Sequence, residues 1–145
     1  MIHRSIGAVS HGILDYALGI LLLAAPSFVG FAGMQAKWAY IFGGVLLAMA
    51  ILTRYPLGII KTIGLGVHGF VELLLAISLI AAPWYGNFAR GILSRNFYVM
   101  LGLLMLVLWF LTDFRGVRGR VPAAPVAGRG ASPTPAEPKA PPPAP

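Results

Sequence analysis

Charged side chains fall into short clusters along this chain, and long apolar stretches separate the clusters. Residues 5–28 form the first stretch, broken only by His11 and Asp15. Residues 38–53 lie between Lys37 and Arg54, and residues 63–84 are broken only by His68 and Glu72. Residues 96–112 lie between Arg95 and Asp113. A helix crossing a bilayer needs about 20 apolar residues, with a range near 17–25. The pattern therefore predicts four membrane-spanning helices. Lys and Arg at the ends of the shorter second and fourth spans extend the usable length by snorkelling. Pro26 and Pro83 fall at the far ends of spans one and three, where a helix is expected to stop. Trp38, Tyr40, Trp84, Tyr85 and Tyr98 mark one set of ends, and Tyr55 and Trp109 the other, as an aromatic belt would. Asp15 in the first apolar run argues against a cleaved signal peptide.

A shift of 57 residues superimposes two parts of the chain. His11-Gly12 meets His68-Gly69, Asp15 meets Glu72, and Ala24-Ala25-Pro26 meets Ala81-Ala82-Pro83. Leu18, Ile20, Leu22 and Phe31-Ala32 also find identical partners, which makes ten identities over residues 11–32. At a shift of 59, Gly43 meets Gly102, and Leu52-Thr53-Arg54-Tyr55 meets Leu111-Thr112-Asp113-Phe114. The expected fold is all-α: a transmembrane four-helix bundle of two hairpin repeats, about 5–58 and 62–115. Each repeat holds two spans, so both enter from the same side and are parallel.

The residues inside the spans narrow the search for chemistry. His11 and Asp15 are four apart and share a helix face, as do His68 and Glu72. Gly19 and Ala76 continue the same stripes, and with Gly12 and Gly69 they read as small residues at packing faces. An ionisable group at the bilayer centre costs roughly 2.5–3.5 kcal/mol on insertion scales, so these four must face the bundle interior. If spans one and three face each other, the four groups converge near one end of the bundle. They are candidates for ligand or proton binding, or for ion pairs that fix the hairpin register. A divalent metal suits the donor types, but i,i+4 His–carboxylate pairs are common without one and no third motif supports it. No metal, cofactor or catalytic residue is assigned.

Composition adds partners and exclusions. The 145 residues are 58% hydrophobic and 10% charged, far from a soluble domain. No cysteine is present, which removes disulfides, thiolate nucleophiles and thiolate metal sites. Residues 116–145 carry nine of the twelve prolines and read as a disordered, basic Pro/Ala-rich tail after a membrane domain at 1–115. With four spans, the side shared by both termini and the 54–62 loop holds eight basic residues, against three on the other side. Both termini are therefore expected in the cytoplasm. The net charge of +7 lacks the basic face with interleaved aromatics that nucleic-acid binding requires. The expected surroundings are lipid, a second copy or another membrane protein.

The two Ala-Pro motifs, Ala25-Pro26-Ser27 and Ala82-Pro83-Trp84, together with His11–Tyr16 and Thr53–Gly58, resemble the SPW-repeat family of small bacterial integral membrane proteins. The resemblance covers roughly residues 6–115. It implies a bacterial inner-membrane location and a helix-hairpin repeat, and it implies no settled activity. The first expectation for function is a non-enzymatic structural or accessory protein that packs with itself or a partner. The alternatives are a small transporter or proton- or ligand-binding protein using His11, Asp15, His68 and Glu72, and an accessory subunit of a quinone-linked membrane enzyme. Gly64-Leu65-Gly66-Val67-His68-Gly69 matches a dinucleotide motif in letters only, because it opens a membrane helix rather than following a strand. Its glycines are read as packing residues. The hydroxyls of Ser10, Ser78 and Thr53 are expected to bond back to their own helices. Asp113 and Arg115 are expected to form an interfacial ion pair of little energetic weight.

Overall fold

A computed structural model describes residues 6–112 and Phe114; the tail and the Asp113–Arg115 pair lie outside the described residues. Four α-helices follow in order: α1 Ala8–Val29, α2 Gly33–Leu52, α3 Leu65–Tyr85 and α4 Ile92–Leu111. All four are long and apolar enough to cross a membrane. At 1.5 Å per residue, 20 residues span about 30 Å, the thickness of a hydrocarbon core. The chain is a small multi-pass membrane protein, all-helical among the described residues.

α1 packs along α2 and α3 packs along α4, so the molecule is two hairpins. The approach is closest where side chains vanish. A Cβ added at Gly43 of α2 would lie 3.0 Å from the Gly19 carbonyl oxygen of α1. A Cβ at Gly102 of α4 would lie 2.8 Å from the Ala76 carbonyl oxygen of α3. Gly19 and Ala76 thus face the partner helix of their own hairpin. Without a hydrophobic drive between helices in lipid, this contact is what van der Waals packing requires.

The helices extend beyond the charge-free stretches. α2 starts at Gly33 and carries Lys37, and α4 starts at Ile92 and carries Arg95. Long cationic stems near a helix start can reach past the apolar layer, so their charge does not end the helix. Pro26 and Pro83 do not stop α1 and α3, which run on to Val29 and Tyr85. A proline in the last turn removes one backbone bond where few remain to be lost. Gly30 then closes α1 in the left-handed conformation, at φ 78°.

One core runs between the hairpins, with Leu22, Leu46, Leu79 and Met105 fully buried. Tyr98, expected in an interfacial belt, instead lies in this core among Phe31, Phe42, Phe88 and Phe97. Its hydroxyl donates to the Gln35 carbonyl at 2.6 Å and so joins α4 to α2. Trp84 and Tyr40 keep the exposed positions that a belt needs. At the other end, the start of α1 meets the end of α4: Ile6 N–H donates to the Leu111 carbonyl at 3.2 Å. Ile63 makes the matching bond to Leu52 at 2.9 Å. The chain entry, the α2–α3 loop and the end of α4 therefore share one end of the bundle.

Candidate functional site

Gly7 and Gly64, in extended conformation, precede α1 and α3. The amide of His11 donates to the Gly7 carbonyl and that of His68 to Gly64, so each histidine sits at the start of its helix ladder. Asp15 and Glu72 lie one turn further in. Both pairs turn inward, and the structure brings all four predicted residues together. His11, Asp15, His68 and Glu72 are each at most 2% exposed, and one donor atom of each lies within 4.8 Å of the others.

The contacts cross between hairpins. His11 Nε2 is 3.2 Å from Glu72 Oε2, and His68 Nε2 is 3.1 Å from Asp15 Oδ2. Within each helix the separations are 3.4 Å for His11–Asp15 and 4.0 Å for His68–Glu72. The two imidazoles meet edge to face with centroids 5.6 Å apart.

Two threonines fix the rings. Thr112 Oγ1 lies 2.9 Å from His11 Nδ1, and Thr53 Oγ1 lies 2.8 Å from His68 Nδ1. Each hydroxyl donates its single proton to a carbonyl four residues back, Leu108 at 2.7 Å and Met49 at 2.6 Å. A hydroxyl that has given its proton away can only accept from the ring. Each histidine therefore carries a proton on Nδ1, and each ring turns Nε2 toward the carboxylates. His11 Nε2, His68 Nε2, Asp15 Oδ2 and both Glu72 carboxylate oxygens are buried without a hydrogen-bond partner. Buried polar atoms are nearly always paired, so five unpaired atoms around one point need an explanation.

Aromatic rings seal the open end of this centre. Phe114 packs edge-on against His11, with centroids 5.4 Å apart, and Tyr55 lies over His68 at 6.3 Å. Gly12 is filled by the Tyr55 ring and Gly69 by that of Phe114. Gly64 and Gly66, read from the sequence as packing residues, have no neighbour within 4 Å of where a Cβ would stand, whereas Gly69 lies against the Phe114 ring. Burial first, and then the Asp15 carboxylate, push the Tyr55 phenol above its ordinary value, so it stays a neutral O–H. Trp109 donates its indole N–H to the Gly69 carbonyl at 2.6 Å, and Tyr16 its hydroxyl to Leu57 at 3.2 Å. Arg54 binds the Lys61 carbonyl at 2.7 Å rather than a carboxylate of the centre.

The remaining predicted residues stand elsewhere. Ala25, Pro26, Ala82 and Pro83 are buried at the opposite end of α1 and α3, and Trp84 is exposed there. They form no part of the centre. The residues missed as partners are Thr53 and Thr112, together with the covering rings of Tyr55 and Phe114. Their signal was present: Leu-Thr-x-aromatic closes the second span of both halves.

The fold and this site define a small multi-pass membrane protein with a sealed His₂–carboxylate₂ centre between two helix hairpins. No protein-family model, curated protein or solved structure matches the chain.

Proposed function

We propose that this chain is a non-catalytic integral membrane protein of SPW-repeat type, built by duplication of one hairpin, whose buried centre binds a cation that ties the two hairpins together. Its setting is a bacterial inner membrane with both termini in the cytoplasm, and a second copy or another membrane protein is its partner. One observation carries the binding reading: five unpaired nitrogen and oxygen atoms of His11, Asp15, His68 and Glu72 converge in a buried site. Two ionised carboxylates facing two neutral rings would carry a charge of −2, which a low-dielectric interior does not hold uncompensated. A resident cation supplies the missing charge. Residues so little exposed suit a resident ion better than a solute in transit.

A second reading has its own support. The crossed separations of 3.2 and 3.1 Å are those of ion pairs between the hairpins, so the centre can also act as a purely structural clamp. One experiment separates the two. Full-length protein in detergent is unfolded after chelation, then with Na⁺, Mg²⁺, Ca²⁺ or Zn²⁺ restored, beside the Asp15→Asn/Glu72→Gln variant. Under the binding reading at least one cation stabilises the wild type and not the variant. Stability unaffected by every cation, with the variant still weaker, leaves the clamp alone. Equal stability of both proteins ends both readings.

A further inference from the structure

We propose that the cation is a tetrahedral divalent transition metal of the zinc class, held by Nε2 of His11 and His68 and by one carboxylate oxygen each of Asp15 and Glu72. This rests on the cation-binding reading and names the ion. Zinc binds imidazole nitrogen and carboxylate oxygen at about 2.0–2.2 Å, which sets tetrahedral ligand atoms about 3.3–3.6 Å apart. Three of the four His–carboxylate separations are 3.1, 3.2 and 3.4 Å, and the fourth is 4.0 Å. Three of these edges lie within a few tenths of an ångström of the tetrahedral value, and all four donor atoms lie within 4.8 Å of one another, so binding needs only a small adjustment of the side chains.

The donor chemistry selects among ions. Magnesium and calcium take six or more oxygens and keep waters, whereas this centre offers two nitrogens and is closed to solvent. Imidazole suits zinc and its neighbours in the first transition row. Two neutral histidines, two carboxylates and one divalent ion sum to zero charge, the total a membrane interior favours.

Thr53 and Thr112 act as positioning residues. A metal-bound histidine donates its other ring N–H to an outer partner, which fixes the tautomer and orients the lone pair. Here each hydroxyl is committed to its own helix carbonyl and is left to accept from Nδ1. Each threonine sits in the hairpin opposite its histidine, so the arrangement of the hairpins and the ligand set specify each other. Four protein ligands with no open position describe a structural site rather than a catalytic one.

The test is metal binding by full-length protein in detergent, with Co²⁺ as the optical probe and Zn²⁺ as competitor. One equivalent of Co²⁺ should bind per chain with the intense visible absorption of tetrahedral coordination, and Zn²⁺ should displace it. Asp15→Asn/Glu72→Gln should lose the spectrum. Thr112→Val and Thr53→Val should keep it but bind about 10–100-fold more weakly, as loss of an outer partner does. Helical content measured on each variant separates lost binding from lost fold. Should Asp15→Asn/Glu72→Gln fail to fold, the wild-type spectrum and the threonine variants decide. Octahedral or no Co²⁺ binding by folded wild type overturns the proposal, as does unchanged binding in the threonine variants. If Mg²⁺, Ca²⁺ or Na⁺ stabilises the protein while Zn²⁺ and Co²⁺ do not, the cation reading stands and the zinc-class assignment falls.

Discussion

Replacing Thr112 by valine removes one hydroxyl and preserves the shape of the side chain. In the folded protein Thr112 is 1% exposed, and its hydroxyl accepts from His11 Nδ1 at 2.9 Å and donates to the Leu108 carbonyl at 2.7 Å. After substitution the His11 N–H faces a methyl group in a site closed to water. Leaving a buried donor unpaired costs about 1–3 kcal/mol. Hydrogen bonds between membrane helices average about 0.6 kcal/mol and reach about 1.7, because the unfolded chain in a membrane also finds partners. The expected loss for Thr112→Val is therefore about 1–2 kcal/mol. Thr53→Val should lose about as much, through His68. Thr112→Ser keeps the hydroxyl and should lose well under half of that. The assay is reversible unfolding in mixed micelles, followed by helical circular dichroism. The double variant tests the shared centre. Two independent hydrogen bonds would give additive losses, whereas rings facing one centre should couple by about 0.5 kcal/mol or more. If Thr112→Val is as stable as Thr112→Ser, the hydroxyl does not orient the ring, and the assignment of the tautomer is wrong.

Three further outcomes follow from the packing and a fourth from the proposed orientation. Gly102→Val places new atoms against the Ala76 carbonyl and Ile80, and Gly43→Val does the same against Gly19 and Leu22; each should lose about 1–3 kcal/mol in the same unfolding assay. Leu22→Ala, at a fully buried position, should lose about 2–5 kcal/mol, while Ile20→Ala on the lipid-facing side should lose a small fraction of that. Tyr98→Phe should lose about 1 kcal/mol, because its hydroxyl is the tie to Gln35; no change would place that bond outside the folding energetics. The chain has no cysteine, so single cysteines report topology without background. Asn87→Cys in intact cells should react with an impermeant maleimide and Lys61→Cys should react only after lysis; the reverse pattern inverts the proposed orientation.

The sequence made the four spans legible because charge is excluded from hydrocarbon, and the coincidence of His11–Asp15 with His68–Glu72 pointed to the centre. Span ends were less legible. Lys37 and Arg95 sit inside helices because their long stems carry the charge toward water. Tyr98 was misplaced because composition treats every tyrosine near a span end alike, whereas its position is set by a pocket of phenylalanines drawn from distant parts of the chain. The roles of Thr53 and Thr112 could not be read from one helix at a time. Each bonds back to its own turn, as expected of a membrane hydroxyl, and only the crossing of the hairpins shows that it also holds a histidine of the other half.

The most direct measurement of the ion at this centre is X-ray absorption of zinc bound to the full-length protein. The account predicts four nitrogen and oxygen neighbours at about 2.0–2.1 Å, with the outer-shell scattering of two imidazoles. A shell of six oxygens, scattering from fewer than two imidazoles, or zinc that washes away from folded protein would contradict it.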